Sequence, residues 1–111
     1  MNAMLKAQML ATALNVYTGV TPGGQLIDLT KICHMIDSSA GTATCSGTYM
    51  NTSLYPAVFG GATSLTVTQI LAYAANQSNA GGSIWYGNVK SVQEKAKDTF
   101  DAINNGVAVS A

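Results

Sequence analysis

The chain has 111 residues, of which 48% are hydrophobic and only 9% are charged, and its five basic and five acidic residues cancel. This length suits one small domain. The basic residues are all lysine, so there is no guanidinium group for phosphate recognition and nucleic acid is not an expected partner. Apolar runs are also shorter than the ~18 residues of a membrane-spanning helix, so we expect no membrane insertion.

The first predicted element is a helix that begins near Met4. Apolar residues recur at helical spacing through Ala7, Ala11, Leu14 and Tyr17, and the pattern stops at Gly19. The spacing predicts that these residues form the inward face of helix one.

A second, shorter helix is expected after Asp28, which is a residue type that caps helix N-termini. Leu29, Cys33 and Ile36 would continue its apolar face, and Ile27 and Ile32 occupy the positions of a hydrophobic staple. This interpretation places Cys33 on a helix.

Residues 38–89 contain no charged side chain, and the part between Asp37 and Ser64 is rich in Gly, Ser and Thr. We expect a long irregular loop there, with some short β pairing between Thr48 and Val58. Long loops in compact domains usually have a function or a special constraint. A disulfide between Cys33 and Cys45 is the expected constraint, and two free buried thiols are the alternative.

Two further helices complete the prediction. Thr66 and Gln69 form a capping box before the third helix, and Asn88 can cap a fourth helix that ends at Gly106. The fold class predicted is therefore all-α: a small four-helix domain with a long, disulfide-braced irregular loop. We expect residues 1–111 to be a single helical domain taken from a longer secreted protein.

Three helical segments resemble a small helical module of large secreted and surface-displayed bacterial proteins, most of them uncharacterised. The segments are Lys6–Val16, Leu65–Leu71 and Ala96–Asn105. The resemblance covers the helices alone and rests on packing motifs. It implies an extracellular structural or accessory role, and it assigns no functional residue.

Few residues suggest catalysis or metal binding. His34 is the only histidine, and as an adjacent helical residue it would be poorly placed to share a ligand with Cys33. Asp98 and Asp101 lie three residues apart beside lysines, a pattern typical of a solvated helix face. We therefore expect no metal, no cofactor and no enzymatic activity. A small hydrolase with His34 as its base is the remaining enzymatic alternative.

Recognition through neutral and aromatic groups is the other option. Five aromatic residues fall in predicted loops and form the candidate binding or assembly surface: Tyr49, Tyr55, Phe59, Trp85 and Tyr86. The alternative for Trp85 is that it fills the core of the helix bundle.

The predicted function is a noncatalytic extracellular structural or adhesion module of a secreted or surface protein. The alternative is a self-assembling subunit of an extracellular filament or surface layer, because an uncharged surface loses little hydration when it is buried. Expected partners are proteins or further copies of the chain, with carbohydrate as a third class. Asn51 and Asn76 each begin a glycosylation sequon.

Overall fold

A computed structural model describes residues 3–33, 36–37, 43–45, 49–51, 54–77, 86 and 89–111. Within these residues the chain forms helices α1 (Ala3–Tyr17), α2 (Leu54–Val58), α3 (Val67–Ala75) and α4 (Lys90–Asn104). It also forms short strands, which are β1 (Leu26–Asp28), β2 (Lys31–Cys33), β3 (Ile36–Asp37), β4 (Thr44–Cys45), β5 (Tyr49–Asn51) and β6 (Ser64–Thr66). The all-α prediction is therefore wrong, and the fold is mixed.

The described strands form three antiparallel pairs, β1 with β6, β2 with β5, and β3 with β4. In the first pair Ile27 lies opposite Leu65, and in the second Ile32 lies opposite Met50. The other side of β1 receives the C-terminal segment, where the Asp28 N–H donates to the Val109 carbonyl at 2.8 Å. Segments distant in sequence thus complete β1 and β2, whereas β3 and β4 lie close together in sequence.

The predicted second helix is absent because Asp28 forms a turn. Its carboxylate accepts hydrogen bonds from the backbone N–H and from the hydroxyl of Thr30. A carboxylate that accepts from the N–H two residues later is common to helix caps and to Asx turns. Ile27 and Ile32 are fully buried on the two strands that flank this turn, and β-branched side chains suit such positions.

The predictions for the other helices are largely confirmed. Gly19 follows α1 with a φ of 82° and Gly106 follows α4 with a φ of 71°, a conformation that favours glycine. At the start of α3, the Thr66 hydroxyl accepts from the Gln69 N–H and the Gln69 side chain accepts from the Thr66 N–H. Val89 occupies the N-cap position of α4, and the predicted cap Asn88 lies outside the described residues.

The core lies between α1, α4 and the strands. α1 packs against α4 and against α3, and α2 packs against α4. The largest side chains that are fully buried are Tyr55, Phe59 and Phe100. The prediction of one irregular loop between residues 37 and 64 is corrected in part, because this segment also contains β4 and α2, whereas the short β pairing expected between Thr48 and Val58 is present as β5.

Candidate functional site

Helix α1 exposes an apolar face to solvent. Leu10 is 57% exposed, Leu14 is 62% exposed and Tyr17 is 89% exposed. At 100° per residue these three side chains lie within about 60° of one another around the helix axis. Met4 on the first turn and Val20 just after the helix are also exposed. Leu10, Leu14 and Tyr17 therefore form an apolar strip on the outer side of α1, and Met4, about 120° from Leu10 around the axis, flanks it.

The predicted inward face of α1 is therefore wrong. The structure buries the opposite side of the helix, where Leu5, Met9 and Thr12 are each at most 8% exposed. Met4 and Tyr17, which the periodicity placed inside, are on the outside. Both sides of this helix are mostly apolar, and its only charged residue is Lys6, so hydrophobic spacing alone could not select the buried side.

A polar seam between α1 and α4 holds the helix in this orientation. The Thr12 hydroxyl lies 2.7 Å from the Asn104 amide oxygen and 2.9 Å from the Gln8 carbonyl oxygen. The Asn104 amide nitrogen donates to the Gln8 carbonyl at 3.0 Å and to the Gln8 side-chain oxygen at 2.7 Å. Buried polar groups require such partners, and rotation of α1 about its axis would break the bonds that Thr12 and Gln8 make with Asn104.

A groove runs beside the exposed strip, between α1 and α3. Its volume is about 280 Å³. The α1 wall consists of Lys6, Met9, Leu10 and Ala13, and the α3 wall consists of Leu71 and Ala75. Apolar surface of this kind that continues over several exposed residues is typical of contact sites.

Two of the five aromatic residues predicted to form a binding surface are buried in the core. Tyr55 and Phe59 are each 1% exposed. Phe59 packs edge-on against Phe100, with ring centroids 6.3 Å apart, and against Tyr73 at 6.0 Å. The Tyr55 hydroxyl donates to the Asp98 carboxylate at 3.1 Å, and burial, followed by the charge of Asp98, raises the pKa of Tyr55. Neither ring can form a binding surface in this structure.

The remaining aromatic candidates are placed only in part. Tyr86 is half-buried with a φ of 52°, and its hydroxyl lacks a hydrogen-bond partner within the described ranges. Burial, followed by Tyr73, raises the pKa of Tyr86. Trp85 lies outside the described residues. Tyr49 contributes its backbone to β5, and its side chain lies outside the part of the chain that the structure describes.

The predicted disulfide is confirmed. Cys33 and Cys45 form a bond with a Cα–Cα distance of 5.9 Å. This bond ties β2 to β4, so Cys33 lies on a strand, in place of the helix that the sequence suggested. His34, the candidate base, lies outside the described residues.

Two carboxylates of α4, those of Asp98 and Asp101, have protein partners. Asp98 lies 2.9 Å from the Lys97 ammonium group, and Asp101 accepts from the Asn105 side chain at 2.8 Å. The Lys97 pKa is raised by its hydrogen bond with Asp98. Among the described residues, no three His, Cys, Asp or Glu side chains are grouped as metal ligands, and no helix is long and apolar enough to cross a membrane.

The bacterial module suggested by the helical segments stays a prediction. No known family model matches the chain. The curated proteins and the solved structures likewise contain no significant match to it.

Proposed function

We propose that the protein is a noncatalytic extracellular module with a structural or adhesive role, and that the outer face of α1 is its contact surface. The observation that carries this proposal is the apolar strip. Leu10, Leu14 and Tyr17 are 57–89% exposed on one side of a single helix. A surface helix of a monomeric domain normally presents polar residues to water, so a neighbouring molecule is the physical reason for this strip.

The disulfide supports an extracellular location. Disulfides persist in oxidising compartments and are rare in the cytosol. The low charge of the chain, with only 9% Asp, Glu, Lys and Arg, agrees with this location. A structural role also agrees with the composition, because a chain with one histidine and no arginine has few groups for acid–base or phosphate chemistry.

The second candidate function, a self-assembling subunit, gains support from the same face. Lys6 is the only charged residue of α1, so few ions would lose their hydration when the face is covered. Carbohydrate stays a third class of candidate partner, although Tyr55 and Phe59 are buried and do not offer their rings to a ligand.

Oxidative footprinting on intact source cells tests this proposal. Hydroxyl radicals modify exposed Met and Tyr side chains, so Met4 and Tyr17 should react in dilute purified protein. On the cell they should be protected at least fivefold if the α1 face contacts a neighbour. Buried Met9 and Tyr55 should stay unreactive both in purified protein and on the cell. Exposed Val89 should be modified to the same extent in both states.

Two results would contradict the proposal. Equal modification of Tyr17 in both states would show that nothing covers the face. Recovery of Cys33 and Cys45 from cells as free thiols, trapped by alkylation before lysis, would place the protein in a reducing compartment.

A further inference from the structure

The apolar strip lies next to the groove between α1 and α3. Lys6, Leu10 and Leu14 are spaced four residues apart, so they form one ridge on α1, and Leu71 and Ala75 form a second ridge on α3. The groove lies between these two ridges. A ridge of side chains on one helix can pack into a groove on a facing surface, as ridges pack into grooves between two helices. One molecule therefore carries both a ridge and a groove that can receive the ridge of an identical molecule.

The charges favour an antiparallel arrangement of two α1 helices. If Leu10 of one copy lies opposite Leu14 of the other, Lys6 lies beside the C-terminal end of the facing α1, where the helix dipole attracts cations. The two lysines would then be about 18 Å apart along the helix direction. This distance exceeds the Debye length of about 8 Å at physiological salt, so the lysines would not repel each other strongly.

The same register matches large residues with small ones. Tyr17, which is 89% exposed, would lie over Ala7 of the facing helix. A large side chain over a small one lets two helices approach closely without strain. An isologous pair repeats each favourable contact twice, because a two-fold axis relates its halves.

The size of the face indicates a weak pair. Tyr17 can bury roughly 150–200 Å² of surface. Met4, Leu10, Leu14 and Val20 can each bury roughly 50–80 Å² of apolar surface, as the transfer free energies of such side chains imply. The sum is roughly 400 Å² per copy, or about 800 Å² in total, below the 1,200–2,000 Å² of most stable complexes. Two free molecules should therefore associate reversibly, and many copies held on one surface should associate more strongly.

We infer that the occupant of the α1 face is a second copy of this chain, bound by antiparallel packing of the two α1 helices about a two-fold axis. This inference rests on the proposed function, because it names the partner of the same contact surface. An identical copy supplies both the ridge of Lys6, Leu10 and Leu14 and the groove beside it.

Sedimentation velocity tests the inference with the full chain from about 10 µM to about 500 µM. The sedimentation coefficient should rise with concentration. Leu10→Glu and Leu14→Glu should each weaken association at least tenfold, because a carboxylate would be buried in an apolar contact. Val89→Glu is the matched control, because Val89 is 50% exposed and lies outside this face; it should associate as the wild type does.

Cysteine cross-linking tests the register. A mixture of Leu10→Cys and Leu14→Cys proteins should form the 10-to-14 heterodimer faster than either protein forms a homodimer. Cys33 is 1% exposed and already bonded, so the native disulfide should not exchange. Faster homodimers of Leu10→Cys would contradict the antiparallel register.

Two sedimentation results would overturn the inference: a monomeric wild type at every concentration, or association of Leu10→Glu equal to that of Val89→Glu. The proposed function fails separately. A monomer in solution whose Tyr17 is nevertheless protected on cells would keep the contact surface and reject the second copy as its occupant. A dimer in solution whose Tyr17 is unprotected on cells would reject the proposed function.

Discussion

The Thr12 hydroxyl and the Asn104 amide oxygen lie 2.7 Å apart, although 92 positions separate the two residues in sequence. Their hydrogen bond joins the buried side of α1 to the last residue of α4. Thr12 is fully buried, so this contact is shielded from water. The exposure of the apolar strip on the opposite side of α1 is a direct consequence of this orientation.

Substitution of Asn104 should destabilise the fold. Asn104→Leu removes the hydrogen bonds that Asn104 makes with Thr12 and Gln8, each worth about 0.5–1.5 kcal/mol, while Thr12 keeps its bond to the Gln8 carbonyl. Urea denaturation would measure the change in the free energy of unfolding. Thr12→Val supplies the control, because the double variant should lose less than the sum of the two single losses. Strict additivity would contradict a direct interaction.

The two sides of α1 should differ in their response to truncation. Leu5→Ala should lower the free energy of unfolding by about 2–5 kcal/mol, because Leu5 is 1% exposed and its loss leaves a cavity. Leu14→Ala should change it by no more than about 0.5 kcal/mol. Thermal and urea unfolding of dilute protein would compare the pair. A larger loss of stability for Leu14→Ala than for Leu5→Ala would indicate that the side of α1 predicted from the periodicity is the buried one.

Loss of the disulfide should destabilise the folded chain. Cys33 and Cys45 are 12 positions apart, and closing a loop of this size restricts the unfolded state by about 3 kcal/mol in the chain-entropy model. The double variant Cys33→Ala with Cys45→Ala should lose about that amount in urea denaturation. Denatured wild-type protein should react with a thiol reagent only after reduction, and labelling without reductant would contradict the bond.

Stability should decrease at alkaline pH through Tyr55. Burial and Asp98 raise the pKa of its phenol above the ordinary value of 10.0, so the folded state disfavours the phenolate. The free energy of unfolding is therefore unaffected by ionisation of this phenol below about pH 10. It falls as pH rises above that value, because the phenol then ionises in the unfolded chain more readily than in the folded chain. Tyr55→Phe should cost about 1 kcal/mol at pH 7 and should flatten this alkaline decrease. An alkaline decrease of the same size in Tyr55→Phe as in the wild type would contradict this prediction.

The Asp28 turn should contribute stability that is lost at acidic pH, whereas the contribution of Tyr55 is lost at alkaline pH. The hydrogen bond from the Thr30 hydroxyl lowers the pKa of Asp28 below 3.8; burial opposes this effect, and the Thr30 N–H and Lys31 lower the pKa by smaller amounts. The turn therefore adds stability above this value and loses it as pH falls through the lowered pKa. Thr30→Val should reduce stability at pH 6 by less than about 1 kcal/mol, since solvent screens the carboxylate. At pH 2 the two proteins should differ less, and an equal difference at both pH values would contradict the mechanism.

The sequence by itself determined the elements that depend on near neighbours. The ends of α1 and α4 follow from Gly19 and Gly106, and the start of α3 follows from Thr66 and Gln69, three residues apart. The disulfide was also predictable, because the chain has only two cysteines. In each case the interaction, or the pair of residues that forms it, can be identified without knowing where the rest of the chain lies.

Only the tertiary structure decided the conformation around Asp28 and the orientation of α1. Asp28 has the same local hydrogen-bonding capacity in a helix cap and in a turn, and pairing of Ile27 with Leu65 and of Ile32 with Met50 selects the strands. Both sides of α1 are apolar, and Asn104, far along the chain, selects which side is buried. The sequence alone therefore could not identify the candidate contact surface, because the exposure of this surface depends on a polar contact on the other side of the same helix.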